Sequence, residues 1–235
     1  MTKPLRIGLI VPSSNTVMEP DIHRQLGGDA IVSTTRIFLE SVTREAETRM
    51  LEEDLPKAAE LIRTTAPDVV LFGCTSAGAL GTLAHDVAIG KTIEELSGAP
   101  AITVLHAVLS RLRVIRPSKL AVFTPYIPDL TNGVASSLTE AGFRPLKAAG
   151  MGIRANLEIG RVAPAEIVAF VESQIEGTPD CVFLSCTNWR AIEAIEPLQE
   201  KLGISVLSSN QAAIDLVRQA TAKPDFSAPP VYSAG

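Results

Sequence analysis

Cysteine and aromatic side chains are both scarce: three cysteines in 235 residues, and 4% Phe, Trp and Tyr together. So few thiols, and an odd number of them, exclude a disulfide-stapled scaffold. Positive charge is short as well. Lys and Arg total 21 against 26 Asp and Glu, a net charge of −5, and no basic run stands out. No nucleic-acid partner is expected from that balance. No apolar stretch comes near the roughly 18–20 residues of a membrane span, so no membrane partner is expected either. Met1-Thr2-Lys3-Pro4 leads straight into a strand-like run. The apolar region and cleavage site of a signal peptide are missing there, and the expected location is the cytoplasm. Phosphate-loop, HExxH and GxSxG patterns are absent. Gly150-Met151-Gly152 opens a Gly-x-Gly, but neither the third glycine nor the helix start of a dinucleotide loop follows. Cys181 and Cys186 lie five apart, with no His or further Cys at ligand spacing, which disfavours a metal site. No cofactor is expected.

The remaining composition is that of a globular chain, 46% hydrophobic and 20% charged, long enough for one large core or two lobes of roughly 110 residues. Strand-type apolar runs fall at 6–11, 30–38, 68–72, 101–105, 120–124, 181–185 and 205–207. Between them, 44–65, 86–97, 107–115, 130–141, 163–175, 192–202 and 211–221 have helical character. Continuous apolar strands flanked by helices predict an α/β fold, with a mostly parallel sheet covered on both sides. In the helix from Arg44, residues Leu51, Leu55, Ala58, Ala59 and Ile62 make an apolar stripe. Its Asp and Glu residues read as a solvated face. The stretch 223–235, with three prolines and little pattern, is expected to be a surface tail or an arm across a partner subunit.

Two segments repeat. Val69-Val70-Leu71-Phe72-Gly73-Cys74-Thr75-Ser76 lines up without gaps on Cys181-Val182-Phe183-Leu184-Ser185-Cys186-Thr187-Asn188, 112 positions later. Arg6-Ile7-Gly8-Leu9-Ile10-Val11-Pro12 resembles Lys119-Leu120-Ala121-Val122-Phe123-Thr124-Pro125 at an offset of 113, and each is followed by a polar stretch with Asn15 or Asn132. Two similar halves predict two similar lobes that face each other, with the two Cys-Thr turns meeting across one cleft.

Ligands of parallel sheets bind beyond the carboxyl ends of the strands. Small hydroxyl, amide and thiol residues cluster at five such ends: Pro12-Ser13-Ser14-Asn15-Thr16, Gly73-Cys74-Thr75-Ser76, Thr124-Pro125-Tyr126, Ser185-Cys186-Thr187-Asn188 and Ser208-Ser209-Asn210. Cys74 and Cys186 each fall where a strand gives way to a helix. Free N–H groups and the positive helix end there lower a thiol's pKa from about 8.5 toward about 7. A thiolate so placed acts as a base on a C–H, or adds to an activated double bond. A single buried cysteine is usually just a small hydrophobe, which is how Cys181 reads; the repetition sets Cys74 and Cys186 apart. Ser13, Ser14 and Asn15, with the backbone N–H groups of Thr75, Ser76, Thr187 and Asn188, are candidate donors to a substrate carboxylate. For Ser13 alone a helix cap is the preferred reading. Tyr126 suits either a carboxylate donor or a half-buried packing role, and Trp189 either a pocket wall or the core. His23, His85 and His106 stand beside no Ser or Cys motif and read as structural.

On these segments the chain resembles the aspartate/glutamate racemase superfamily, and within it the maleate cis–trans isomerase and arylmalonate decarboxylase branch. The likeness runs from Val11-Pro12-Ser13-Ser14-Asn15-Thr16 through Thr124-Pro125-Tyr126 and the loop around Asn156 to Ser185-Cys186-Thr187-Asn188. The resemblance implies two α/β lobes related by a pseudo-two-fold axis. It places residues 1–115 and 210–235 in the first lobe, with the last helix packing back, and 116–209 in the second. It also implies a homo-oligomer, a small carboxylate as substrate, and neither metal nor organic cofactor. In its isomerase form, Cys74 adds to the double bond of a cis-enedioate, the succinyl-type adduct rotates, and Cys186 handles the proton on the neighbouring carbon. Asn15, Tyr126 and Asn156 correspond to carboxylate-holding positions. Decarboxylases of the branch typically keep only the second cysteine, and both are present here. Three functions follow: a cofactor-independent dicarboxylate isomerase, an amino-acid racemase using the thiols as an acid/base pair, and a non-catalytic small-acid binder.

Overall fold

A computed structural model describes residues 4–221. The strand β1 (Leu5–Pro12) opens the first half and is followed by the helix α1 (Met18–Leu26) and by β2 (Ala30–Ile37). Next, α2 (Arg44–Arg49) runs through a π-helical turn, Met50–Asp54, into α3 (Leu55–Arg63). Then come β3 (Val69–Phe72), the one-turn α4 (Thr75–Gly78), α5 (Leu83–Ser97), β4 (Ala101–Thr103) and α6 (Val104–Ile115). The second half repeats the plan: β5 (Leu120–Thr124), α7 (Pro128–Glu140), β6 (Pro145–Gly150), α8 (Asn156–Arg161) and α9 (Pro164–Gln174). It continues with β7 (Cys181–Leu184), α10 (Ile192–Leu202) and β8 (Ser205–Ser208), and α11 (Ser209–Thr221) ends the described chain.

The strands form two four-stranded parallel sheets, ordered β2-β1-β3-β4 and β6-β5-β7-β8. The second order is the first moved along by four strands, so the repeat in sequence is a repeat in topology. Ile7 pairs with Val69 in one sheet and Leu120 with Cys181 in the other. The expected α/β class with two similar lobes of parallel sheet is what the chain adopts.

Alternation along β1 explains how one strand serves two layers. Ile7, Leu9 and Val11 belong to the core that continues into the second lobe, whereas Ile10 packs with Met50, Leu55, Ile62 and Phe72 under α3 and α5. On that same face Gly8 lets α3 approach: a Cβ there would stand 2.7 Å from Ile62 Cγ1. The helix α11 packs on α6 and α1.

Several elements differ from the expected spans. β6 was not expected: Pro145-Leu146-Lys147-Ala148-Ala149-Gly150 lacks β-branched residues and is an edge strand held by pairing with β5. α1 was not expected either; Pro20 lies in its first turn, where proline is tolerated. The fourth strand ends at Thr103, and not at 105, because the Thr103 hydroxyl caps α6 by accepting from His106 N, which turns Val104 and Leu105 into buried helix. The stretch 223–235 lies outside the described residues. Among the described residues, no helix is long and apolar enough to cross a membrane.

Candidate active site

Both cysteines of the repeat end at one small cavity between the lobes. Pro12, Asn15, Cys74 and Ser76 line it from the strand ends of the first lobe, and Tyr126, Cys186, Thr187 and Asn188 from those of the second. Leu39, Val42 and Glu47, together with Asn156, complete it. These last four come from the segments that follow β2 and β6, the equivalent edge strands of the two sheets. The segments are sewn together: Val42 N donates to Arg154 O at 2.7 Å, Asn156 N donates to Glu40 O at 3.0 Å, and Ser41 faces Ala155 in an antiparallel bridge. The void left beneath this seam is about 10 Å³, close to the size of one water.

Side chains tie the two thiol-bearing turns to each other. The Thr187 hydroxyl donates to Gly73 O at 2.9 Å and accepts from Asn15 Nδ2 at 3.1 Å. Asn15 Oδ1 accepts from Val17 N and Met18 N, both at 3.0 Å, which fixes the start of α1. Asn188 Oδ1 accepts from Thr16 N at 2.8 Å, and its Nδ2 donates to Asn156 O at 2.6 Å. Asn156 Nδ2 donates to Ser14 Oγ at 2.8 Å. α8 sits tightly on this network because residue 160 is glycine. A Cβ on Gly160 would lie 2.6 Å from Thr16 Oγ1 and 3.1 Å from Asn188 Oδ1.

Of the residues singled out in the sequence, Cys74, Cys186, Asn15, Ser76, Tyr126, Asn156, Thr187 and Asn188 all line the cavity. Ser13, Ser14 and Thr75 stand behind it. Ser13 Oγ accepts from Leu39 N at 3.1 Å, Ser14 Oγ donates to Leu39 O, and Thr75 Oγ1 donates to Ser209 Oγ at 3.0 Å. Asn210 is also a support, with its Nδ2 donating to Thr187 O at 3.1 Å. Trp189 is fully buried and not among the lining residues.

The thiols are not held as thiolates. Burial pushes Cys186 up to about 12, although the Tyr126 hydroxyl and the N–H groups of Asn188 and Trp189 donate to its sulfur; Asn188 N lies 3.3 Å away. Burial also raises Cys74 well above the usual thiol range; the Glu47 carboxylate adds to this, and the Ala77 N–H and Ser76 hydroxyl offset part of it. The expectation of lowered values is thus reversed. It leaned on helix N-termini, but α4 is a single turn and no helix follows Cys186 until Ile192. Desolvation of a fully enclosed sulfur outweighs a few N–H dipoles. Tyr126 is raised in the same way, by burial first and then by the neighbouring sulfurs.

Glu47 was missed. The acidic residues of its helix were read as a solvated face, and Glu45, Glu52, Glu53 and Glu60 are exposed, but Glu47 is 0% exposed. Its Oε1 accepts from the Ser76 hydroxyl and lies 3.9 Å from Cys74 Sγ. Burial pushes the carboxyl up to about 8, against the opposing pull of the Ser76 hydrogen bond and of Arg44. The signal was available: position 47 lies one turn before the apolar stripe, so a charge there faces inward. The π-helical turn then shifts the phase, so that Met50 is fully buried and Leu51 only partly.

Residues 7–229 match the family model described as arylmalonate decarboxylase. The arylmalonate decarboxylase of Bordetella bronchiseptica is 31% identical over 217 residues, covering 91% of this chain and 90% of that protein. A maleate isomerase of Geobacillus stearothermophilus is 29% identical over 228 residues, again covering 91% and 90%. Among solved structures, a Cys-to-Ser variant of the Nocardia farcinica maleate cis–trans isomerase carries a covalently bound succinylcysteine intermediate. It superposes with a TM-score of 0.88 at 23% identity, covering 94% of each chain, and that likeness speaks for the fold. The chain belongs to the arylmalonate decarboxylase family, in the branch that also holds the maleate isomerases.

Proposed function

We propose that this protein is a cofactor-independent cis–trans isomerase of a small unsaturated dicarboxylate, working by reversible thiol addition. Cys74 sulfur bonds to one alkene carbon, and the π pair moves to the other carbon and its carboxylate. Cys186 gives its proton to that carbon and takes up the one that Cys74 releases, so the adduct is a neutral-thiol succinyl thioether. Rotation about the new single bond follows. Return of the proton and cleavage of the C–S bond then release the trans isomer, with both thiols restored. Asn15, Asn156 and Tyr126 hold the carboxylates in this reading, helped by Ser76, Thr187 and Asn188; Ser13, Ser14 and Thr75 position them. Donors of this kind are worth most where charge develops, on the carboxylate beside the carbanionic carbon.

The observation that carries the reading is two repeated thiols, Cys74 and Cys186, on one enclosed cavity. The named activities of the maleate isomerase relatives agree with it. A division into lobes near residues 115 and 209, self-association and a cytoplasmic setting belong to the same reading.

A racemase is the second reading, favoured by the equivalent placement of the thiols in the two halves, which suits an acid on one face and a base on the other. NMR in deuterated water with maleate, aspartate, glutamate and an arylmalonate separates the possibilities. Fumarate signals from maleate, with an adduct on Cys74 in the Cys186→Ser variant by mass spectrometry, are the expected result. Deuterium at the α-carbon of an amino acid without any adduct would replace isomerisation by racemisation, and loss of carbon dioxide from the arylmalonate would replace both.

A further inference from the structure

The mechanism above leaves one lining group without a task. Glu47 is fully enclosed and lines the cavity beside Cys74. Its Oε1 is engaged by the Ser76 hydroxyl, but Oε2 has no hydrogen-bond partner among the described residues. A buried carboxyl oxygen without a donor costs about 1–3 kcal/mol, and the side chain that carries it lines the cavity.

The surroundings of Glu47 decide what that ligand group can be. Among the described residues, no Lys, Arg or His lines the cavity. Arg44, three residues earlier on the same helix, offsets part of the effect of burial on Glu47, but its guanidinium is engaged by Leu80 O and by Asp129 at 3.4 Å. The other titratable groups facing the cavity are Cys74, Cys186 and Tyr126, each of which becomes negative when it ionises. Burial keeps all three protonated through the range in which Glu47 titrates. A second carboxylate brought next to Glu47 therefore meets no charged partner in the cavity wall, only the partial pull of Arg44. Two carboxyl groups placed so cannot both ionise and must share a proton.

We propose that Glu47 binds one carboxylate of the substrate as a carboxylic acid, donating a hydrogen bond from Oε2, so that the protein takes up its dicarboxylate together with one proton whenever Glu47 starts out ionised. The proposal rests on a dicarboxylate being the substrate class. At neutral pH the proton is already in place, since burial holds this carboxyl up at about 8; in more alkaline solution it is drawn from the medium. Glu47 is then a specificity-determining residue, favouring a carboxylate over an ammonium at the Cys74 side of the pocket.

Calorimetric titration with succinate, an unreactive saturated probe, tests this in wild type, Glu47→Gln and Glu47→Leu between about pH 6.5 and pH 9.5. Wild-type affinity is expected to fall about tenfold per unit above pH 8, with one proton taken up per succinate bound, read from two buffers of different ionisation enthalpy. Glu47→Gln, whose amide donates without titrating, should stay flat within about twofold and take up no proton. Glu47→Leu should bind roughly tenfold more weakly than Glu47→Gln at both ends of the range, with its fold checked by circular dichroism. Coincident wild-type and Glu47→Gln profiles would overturn the proposal. So would no succinate binding to wild type at pH 6.5, or tighter binding of β-alanine, in which an ammonium replaces one carboxylate. If maleate is not turned over but the proton linkage holds, the isomerase reading falls and this one stands; an active isomerase with a flat profile gives the reverse.

Discussion

The hydroxyl of Thr187 donates to the carbonyl of Gly73 at 2.9 Å, so the residue after one thiol holds the residue before the other. This bond joins the two halves of the repeat at their equivalent turns, and it fixes how Cys74 and Cys186 stand relative to each other. Replacing Thr187 by Val keeps the shape and removes the hydroxyl, leaving Gly73 O and Asn15 Nδ2 short of a partner. The cost should be about 1–3 kcal/mol in stability. A fall in kcat of tenfold or more should accompany it, while Thr187→Ser retains most of both. Thermal unfolding and steady-state rates on the three proteins check this.

Because burial raises both thiols, neither is a ready nucleophile in the unliganded protein. Alkylation of Cys74 and Cys186 by iodoacetamide should be slow at pH 7 and should accelerate as pH rises toward 10, since only the thiolate reacts. Peptide mapping of the alkylated sites at a series of pH values gives the profile. A plateau reached below pH 8 would contradict the enclosed, neutral state.

Removing either sulfur should end turnover while sparing the fold. Cys74→Ala and Cys186→Ala each delete one buried sulfur beside other core side chains, at a cost of about 1 kcal/mol. The chemical step should fall by 10²-fold or more in each, judged against general acid–base contributions. Appearance of fumarate from maleate, set beside the circular dichroism spectra, tells loss of chemistry from loss of structure.

Glu47 has a signature in stability that is separate from ligand binding. Its ordinary value of 4.5 is raised to about 8 in the folded chain. Below about 4.5 the carboxyl is protonated in both states. As pH rises through the window up to 8, the unfolded chain releases a proton that the folded chain keeps, so folding becomes less favourable. Glu47→Gln removes that titration. It should match wild type near pH 4.5 and exceed it in thermal stability by an amount on the order of a few kcal/mol near pH 8.5. Melting curves across this range give the sign directly.

Gly160→Ala should disturb the site from the outside. The added Cβ would press on Thr16 Oγ1 and the Asn188 carboxamide, and Asn188 is the side chain that joins Thr16 to Asn156. A rise in KM of several-fold, larger than the change in melting temperature would suggest, is the expected outcome. Equal losses in Gly160→Ala and in a neutral surface variant such as Glu158→Gln would remove this role.

The fold was legible because each half is written twice. The run ending in Gly73-Cys74-Thr75-Ser76 and its copy ending in Ser185-Cys186-Thr187-Asn188 became β3 and β7, third strands of the same topology. What stayed hidden was carried by contacts between segments far apart in the chain. β6 is extended because β5 lies beside it, and nothing in Pro145-Leu146-Lys147-Ala148-Ala149-Gly150 demands it. The polarity of the pocket was legible in Asn15, Tyr126 and Asn188. Its electrostatics were not, since the state of a thiol depends on how completely neighbours exclude water; of the groups that set it, Glu47 alone left a trace, in its spacing four residues before Leu51.

The seam between the segments after β2 and β6 makes the two halves of the repeat answerable to each other. Two backbone bonds, from Val42 N to Arg154 O and from Asn156 N to Glu40 O, join the stretch that carries Val42 to the stretch that carries Asn156, and both of these residues line the cavity. A substitution that loosened either stretch would be felt on both walls of the pocket at once.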